Sequence, residues 1–170
     1  RKILGVIVPT VEEVFATKRK RAILIATKRT VESDKYEREL SKIDSSIDLS
    51  SISTPELVPL IELHEDEAAV DSARQTLERE VREGGVAILG CTHYILLKDA
   101  LRKHFGDSLT IISQDEVIPN KLADYLTRHP EVASRLTDTG KRDIVLTKHR
   151  PDYDRLTAEF LGGVYFKEED

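Results

Sequence analysis

The stretch Gly84-Gly85-Val86-Ala87-Ile88-Leu89-Gly90-Cys91-Thr92-His93 decides the fold. Two glycines end an amphipathic segment, and the four apolar residues from Val86 to Leu89 have the length and composition of a buried strand. A thiol, a hydroxyl and an imidazole follow that strand at once. The stretch therefore predicts a buried strand with reactive side chains at its carboxyl end.

Similar apolar runs recur along the chain and alternate with longer amphipathic segments. This alternation predicts an α/β fold, an open and mainly parallel sheet flanked by helices. The predicted strands are Arg21–Ala26, Ser50–Ser53, Val86–Leu89, Leu109–Ile112 and Asp143–Thr147. The predicted helices are Ser33–Ile43 with Ser33 as N-cap, Pro55–Leu63 as a helix or turn, Asp66–Arg82, Ile95–His104, Val117–Thr127 with Pro119 in its first turn, and Asp152–Phe160.

The composition limits the classes of protein that the chain can represent. Of 170 residues, 39% are hydrophobic and 34% charged, enough apolar material for a core, and the net charge of -5 does not suggest a nucleic-acid partner. The longest uncharged apolar stretch, Ile3–Val8, is too short for a membrane span. A single cysteine fits a reducing, cytoplasmic compartment. The chain lacks Met and begins with Arg1, so we expect it to be trimmed at its N-terminus.

Two predicted strand ends carry the candidate chemistry, because ligands of open α/β sheets bind beyond the carboxyl ends of strands. At the end of the predicted strand Val86–Leu89, backbone N–H groups and the start of a helix favour the thiolate of Cys91, with Thr92 and His93 beside it. Such a thiol acts as a nucleophile or a general base. The alternative is a small apolar residue buried at a strand end.

Thr27 and Thr30 follow the predicted strand Arg21–Ala26 at a strand-to-helix turn, where two hydroxyls can bind a carboxylate or a phosphate. The alternative is ordinary turn and capping chemistry. Glu62 is a candidate to orient His93, or else a solvated residue at a helix end. No pair of candidate ligands has a structural-zinc spacing, so we predict no metal site.

One longer motif resembles a known family. Leu89–Leu97 contains Gly-Cys-Thr-His-Tyr-Ile-Leu-Leu, which resembles the second catalytic cysteine motif of glutamate racemases, G-C-T-H-Y-P-L-L, with Ile95 in place of proline. Ala26–Tyr36 resembles the T-x-x-T-V-x-S-x-x-Y segment of these enzymes, and Pro55–Glu62 resembles their P-x-x-V-P-x-x-E stretch. The resemblance covers nearly the whole chain, although aspartate and hydantoin racemases share a related cysteine motif.

The chain also departs from that family. Ser113 and Gln114 stand where an Asp usually follows the strand, and Leu146-Thr147-Lys148 stands where the family has Thr-Thr-Gly. The D-S-G-x-G-G loop and the first catalytic cysteine motif of the family's first domain are both absent from this sequence. The resemblance therefore implies a flavodoxin-like or Rossmann-like racemase second domain over 1–110, followed over 111–170 by the returning segment of an incomplete first α/β domain.

The resemblance implies a mechanism as well. Glutamate racemases need no cofactor and use two cysteines on opposite faces of the substrate. Here Cys91 would handle the proton of the L-enantiomer, with His93 and Glu62 supporting it, while Thr27, Thr30 and Thr92 would bind glutamate. With one thiol, the chain alone is expected to be inactive as a racemase. D-glutamate would supply peptidoglycan synthesis, and the resemblance leaves a homodimer open.

Two other functions remain open from the residues. The first is a non-catalytic, racemase-like module for ligand binding or assembly. The second is a flavodoxin-like ligand-binding domain unrelated to racemisation, which a phosphate or flavin at Thr27 to Thr30 would favour.

Overall fold

The computed structural model describes residues 4–81, 84–137 and 139–140. Four strands form one all-parallel sheet in the order β2-β1-β3-β4. They are β1 (Arg21–Ala26), β2 (Asp48–Ser53), β3 (Gly85–Leu89) and β4 (Leu109–Ser113). The predicted parallel α/β sheet is thus confirmed. The predicted strand 143–147 and helix 152–160 lie outside the described residues.

Helices and short 3-10 turns connect the strands. Those of the unit that ends at His129 are α1 (Ile7–Ala16), α2 (Lys28–Glu32), α3 (Lys35–Ile43), α4 (Leu57–Glu62), α5 (Asp66–Glu80), the 3-10 turns Thr92–Leu97 and Gly106–Ser108, α6 (Lys98–Phe105) and α7 (Gln114–Arg128). A second compact unit begins at Pro130 and contains α8 (Pro130–Ala133). The assignment of 1–110 and 111–170 to two family domains stays a prediction.

The sheet is covered on both faces, which is why its central strands are apolar throughout. Every residue of β3 is buried, as is every residue of β1 after Arg21. Helices α1, α3 and α7 share one core with alternate residues of the sheet, among them Leu24 and Ile88. Helix α5 contacts both α4 and α6. Helix α5 also contacts β1, and α6 contacts β4. The other set of alternating strand residues faces this layer.

Helix α5 follows the predicted pattern closely. Ala69, Ala73 and Leu77 recur every four residues and are fully buried. The helix ends at Glu80, earlier than the predicted Arg82, because Val81 is already extended. Gly84 then has a φ of 77°, a left-handed conformation that glycine adopts without strain.

The predicted helix Ser33–Ile43 is wrong in its first turn. Residues 28–32 form the separate helix α2, and the N-cap of α3 is Asp34. The Ser33 hydroxyl donates to the carbonyl of Thr30 at 2.7 Å and accepts the Lys35 N–H at 3.4 Å. Asp34 lies between the two helices with a left-handed φ of 52°. Helix α3 therefore begins two residues later than predicted and ends at the predicted Ile43.

Two other helices differ from their predicted bounds. The segment predicted as Ile95–His104 begins as the 3-10 turn Thr92–Leu97, directly after Cys91, and becomes α-helical only at Lys98. Helix α7 begins at Gln114, three residues before the predicted Val117, so Pro119 lies in its second turn.

Candidate active site

The strand order creates a crevice between β1 and β3. The chain passes from β1 to β2 on one side and then returns to β3 on the other side of β1. Connections leave two neighbouring parallel strands in opposite directions at such a point, and ligands of α/β sheets bind there. The residues that follow these two strands are Thr27 and Gly90-Cys91. The predicted strand-end chemistry is thus gathered at one edge of the sheet.

Gly90 allows the end of β3 to lie against β1. Its N–H donates to the carbonyl of Ile25 at 2.9 Å. A Cβ atom at this position would lie 2.6 Å from Leu24 Cδ1 and 3.0 Å from Ala26 Cβ. Only glycine fits without displacing these atoms, and it brings the half-buried Cys91 next to the end of β1.

Cys91, His93 and Glu62 form a chain of polar contacts. The Cys91 Sγ atom lies 3.8 Å from His93 Nδ1, and His93 Nε2 lies 3.2 Å from Glu62 Oε1. The imidazole thus stands between a thiol and a carboxylate, and its two nitrogens serve different partners. This is the arrangement by which a base and its orienting group activate a thiol. The structure brings these three predicted residues together.

The protonation of Cys91 differs from the expectation. Burial raises the pKa of the Cys91 thiol, and this effect outweighs the N–H groups of His93 and Tyr94 and the hydroxyl of Thr92, which lower it. The hydrogen-bond donors predicted for the strand end are therefore present, but the site holds the neutral thiol. Such a group needs a proton acceptor before it can act as a base, and His93 is in position to be one.

Thr27 and Thr30 lie together at the end of β1. Thr27 is the N-cap of α2, and its side-chain oxygen accepts a hydrogen bond from the Thr30 N–H at 3.4 Å. The two hydroxyl oxygens are 3.0 Å apart. Capping by Thr27 is therefore real, and the paired hydroxyls stand beside the crevice.

Two residues without a predicted role form a buried pair at the carboxyl ends of the strands. The Tyr94 side chain is fully buried, and its hydroxyl donates to the Thr54 carbonyl at 2.9 Å and lies 2.8 Å from the Thr54 hydroxyl. Thr54 directly follows β2, so the strand-end rule could have singled it out. Nothing in the spacing of the sequence could have paired it with Tyr94.

Three further features of the described residues bear on other kinds of function. Among the described residues, no three His, Cys, Asp or Glu side chains are placed to hold a metal ion. No described helix combines the length and the apolar character that crossing a membrane requires. A concave surface between residues 5–8 and α3 contains none of the predicted site residues.

The fold and the site define an α/β protein with a candidate thiol centre at the switch point of a parallel sheet. No protein-family model matches the chain. It is 36% identical over 132 residues to glutamate racemase 2 of Caldanaerobacter subterraneus subsp. tengcongensis, which covers 76% of the chain and 48% of that protein. It is 34% identical over 167 residues to the glutamate racemase of Paracoccus denitrificans, covering 87% of the chain and 62% of that protein.

Solved structures agree with these relatives. The glutamate racemase isoform RacE1 from Bacillus anthracis superposes with a TM-score of 0.80 at 26% identity, over 98% of this chain and 64% of that one. The glutamate racemase from Thermus thermophilus in complex with β-chloro-D-alanine gives a TM-score of 0.69 at 30% identity, over 97% and 61% respectively. The chain is a homologue of the glutamate racemases. It spans about half to three fifths of the length of the two curated relatives.

Proposed function

We propose that this chain is the part of a glutamate racemase that carries one of its two proton-transferring cysteines, Cys91. The observation that carries the proposal is the Cys91–His93–Glu62 chain of contacts at the switch-point crevice. Homology to glutamate racemases over most of the chain supports it. Racemisation removes the α-proton from one face of glutamate and returns a proton to the other, so each face needs its own acid or base.

His93 supplies the proton acceptor that the neutral Cys91 thiol requires. The thiol proton passes to His93 Nδ1, which leaves a thiolate and an imidazolium. Glu62 accepts a hydrogen bond from Nε2–H and stabilises the positive charge. The thiolate then takes the α-proton of L-glutamate, which restores the thiol and leaves a carbanion. In the reverse direction the thiol returns that proton to the same face.

The substrate carboxylate and amino groups have hydroxyl partners at the same edge of the sheet. Thr27 and Thr30 stand at the end of β1, and Thr92 follows Cys91. In this proposal they bind glutamate by hydrogen bonds and hold its α-carbon over the thiol. Hydrogen bonds to the carboxylate also stabilise the carbanion-like state, so no cofactor is required.

A second thiol is needed on the opposite face, and Cys91 is the only cysteine of the sequence. The chain by itself is therefore expected to exchange the α-proton of L-glutamate without inverting it. The complete enzyme would make D-glutamate for peptidoglycan in the cytoplasm, as the resemblance implies.

Solvent exchange tests this proposal. The chain is incubated in heavy water with L-glutamate or D-glutamate, and NMR follows the α-proton while polarimetry follows the configuration. We expect deuterium in L-glutamate, no net inversion, and no exchange above background in Cys91→Ala. Net racemisation by the chain would contradict the need for a second thiol, and exchange that persists in Cys91→Ala would contradict the role of Cys91.

The second candidate is a racemase-like module that binds glutamate without proton transfer. The observation in its favour is the raised pKa of Cys91, which keeps the thiol neutral. NMR chemical-shift changes at Thr27, Thr30 and Thr92 on titration with glutamate, with no deuterium exchange, would establish this function instead of catalysis.

A further inference from the structure

The hydroxyl of Tyr94 lies at a junction of three elements. Tyr94 belongs to the 3-10 turn after β3, whereas its hydroxyl reaches Thr54 after β2. Because β1 lies between β2 and β3 in the sheet, the side chain crosses the carboxyl end of β1. There Thr54 is itself fixed, since its N–H donates to the Ala26 carbonyl at 2.9 Å.

The Thr54 carbonyl also marks the beginning of α4. It accepts the Tyr94 hydroxyl at 2.9 Å and the Leu57 N–H at 3.3 Å. Leu57 is the first residue of α4, and Glu62 is the last. The same carbonyl therefore connects the 3-10 turn that contains His93 to the helix that contains Glu62.

The chain of contacts Cys91–His93–Glu62, called the relay from here on, spans these same two elements. His93 and Glu62 are both partly solvent-exposed, with side-chain exposures of 30% and 44%. The 3.2 Å contact between these exposed side chains is weak in water and is not sufficient to hold two elements in register. The buried Tyr94–Thr54 pair, closed to solvent, is suited to do so.

We propose that Tyr94 is a positioning residue that holds the turn bearing Cys91 and His93 in register with Glu62 through its hydroxyl contact with Thr54. This rests on the proposed function insofar as the relay serves proton transfer. The Tyr94 side chain touches no reacting atom in this role, although the backbone N–H of Tyr94 is one of the donors to the Cys91 thiol. It acts by keeping the imidazole aligned between the thiol and the carboxylate.

The reactivity of the single cysteine tests the proposal without substrate. The rate of Cys91 alkylation by iodoacetamide is measured from about pH 6 to about pH 10 in the complete chain. Glu62→Gln is made in the wild-type background and in Tyr94→Phe, and urea unfolding monitored by circular dichroism establishes that each variant is folded. Tyr36→Phe provides a matched control, because Tyr36 is also buried and its hydroxyl accepts a hydrogen bond from Gln114 on α7, whereas that of Tyr94 contacts Thr54.

We expect Glu62→Gln to slow alkylation near neutral pH by about threefold or more in the wild-type and Tyr36→Phe backgrounds, the size of an ordinary coupling within one hydrogen-bonded network. In Tyr94→Phe the effect of Glu62→Gln should disappear. Thr54→Ser keeps the hydroxyl and the carbonyl, so it should retain the effect.

Three results would overturn the proposal. They are an effect of Glu62→Gln that survives in Tyr94→Phe, its loss in Tyr36→Phe, or no effect in the wild type, which would remove the relay itself. The coupling is read without glutamate. A chain that shows the coupling but never exchanges the α-proton would refute the proposed function and leave the role of Tyr94 standing.

Discussion

Gly90 is the residue that determines how closely the thiol approaches the end of β1. An alanine Cβ would meet Leu24 Cδ1 at 2.6 Å, and the Ile25 carbonyl at 3.2 Å cannot yield easily because it accepts the Gly90 N–H. We predict that Gly90→Ala lowers the free energy of unfolding by about 1–3 kcal/mol, the usual cost of overpacking. Urea unfolding measures it.

Gly5→Ala is the matched control for that substitution. No atom lies within 4 Å of a Cβ built at Gly5. Its effect should stay within about 0.5 kcal/mol, as for an ordinary surface substitution. Equal stabilities for the two variants would show that the strand end can widen to accept a methyl group.

Thr92 is predicted to tune the Cys91 thiol. Its hydroxyl hydrogen bond to the sulfur lowers the pKa of Cys91, against the larger effect of burial. Thr92→Val keeps the shape of the side chain and removes this donor. We expect the pKa of Cys91 to rise further, so that alkylation at neutral pH slows by about twofold to tenfold, the size of one ordinary hydrogen bond.

The pH profile of alkylation distinguishes this effect from a simple change of access. A higher pKa moves the profile to higher pH and leaves its plateau unchanged, whereas blocked access lowers the plateau. Thr110→Val on the exposed side of β4 is the control and should leave the profile in place. An unmoved profile in Thr92→Val would contradict the role of the hydroxyl.

At the scale of the element, α7 contains a proline at a position where proline destabilises a helix. Pro119 lies in the second turn, so it cannot donate to the carbonyl of Asp115, and its ring crowds that carbonyl. We predict that Pro119→Ala raises the free energy of unfolding by about 1–3 kcal/mol, measured by urea unfolding.

Pro59 provides the comparison. It is the third residue of α4, where a backbone N–H has no partner within the helix. Pro59→Ala should therefore bring no such gain. A stabilisation of Pro59→Ala as large as that of Pro119→Ala would mean that the position of the proline in the helix is not the cause.

The elements that the sequence predicted well are those fixed by local composition. β1, β3 and β4 are apolar runs, and α5 repeats alanine or leucine every four residues. α1 was missed, because Pro9 and a run of β-branched residues conceal a helix that packs on α3 and α7. Its stability comes from burial of Val11 and Val14, a tertiary effect that propensity does not contain.

The candidate site likewise has parts that local sequence predicts and parts that it does not. The strand-end rule selected Cys91, Thr27 and Thr30 because parallel strands end at one edge. The sequence offered Glu62 as a candidate partner of His93, but the strand-end rule could not establish that contact, because the two residues are 31 positions apart. The contact between Tyr94 and Thr54, 40 positions apart, was not anticipated. Such distances follow from the order of the strands, which short-range patterns do not encode.

At the scale of the whole molecule, a cluster of charges joins α6, β4 and α7. Arg102 makes two hydrogen bonds of 2.7 Å to the Glu116 carboxylate and donates to the Ile111 carbonyl. Lys98, whose side chain is 13% exposed, lies 2.5 Å from Asp115 and 2.9 Å from Glu116. The cluster therefore attaches the start of α7 to the helix that follows the cysteine turn.

This cluster makes the stability of the fold depend on pH. The hydrogen bonds from Arg102 are the main cause that lowers the pKa of Glu116 from 4.5 to about 2. Because the unfolded chain takes up this proton at higher pH than the folded chain, the contribution is complete above 4.5 and is lost as the pH falls toward 2. The Glu116 side chain is 44% exposed, so solvent screening keeps the contribution below about 1 kcal/mol.

We therefore predict that Glu116→Gln lowers the Tm at neutral pH and that its Tm then falls less than that of the wild type between pH 4.5 and about pH 2. Thermal unfolding at a series of pH values measures the two curves. Glu39→Gln is the control, because Glu39 pairs with Lys42 of the same helix on the surface of α3. Its curve should remain parallel to the wild type. A parallel curve for Glu116→Gln would show instead that the cluster contributes no acid sensitivity to the fold.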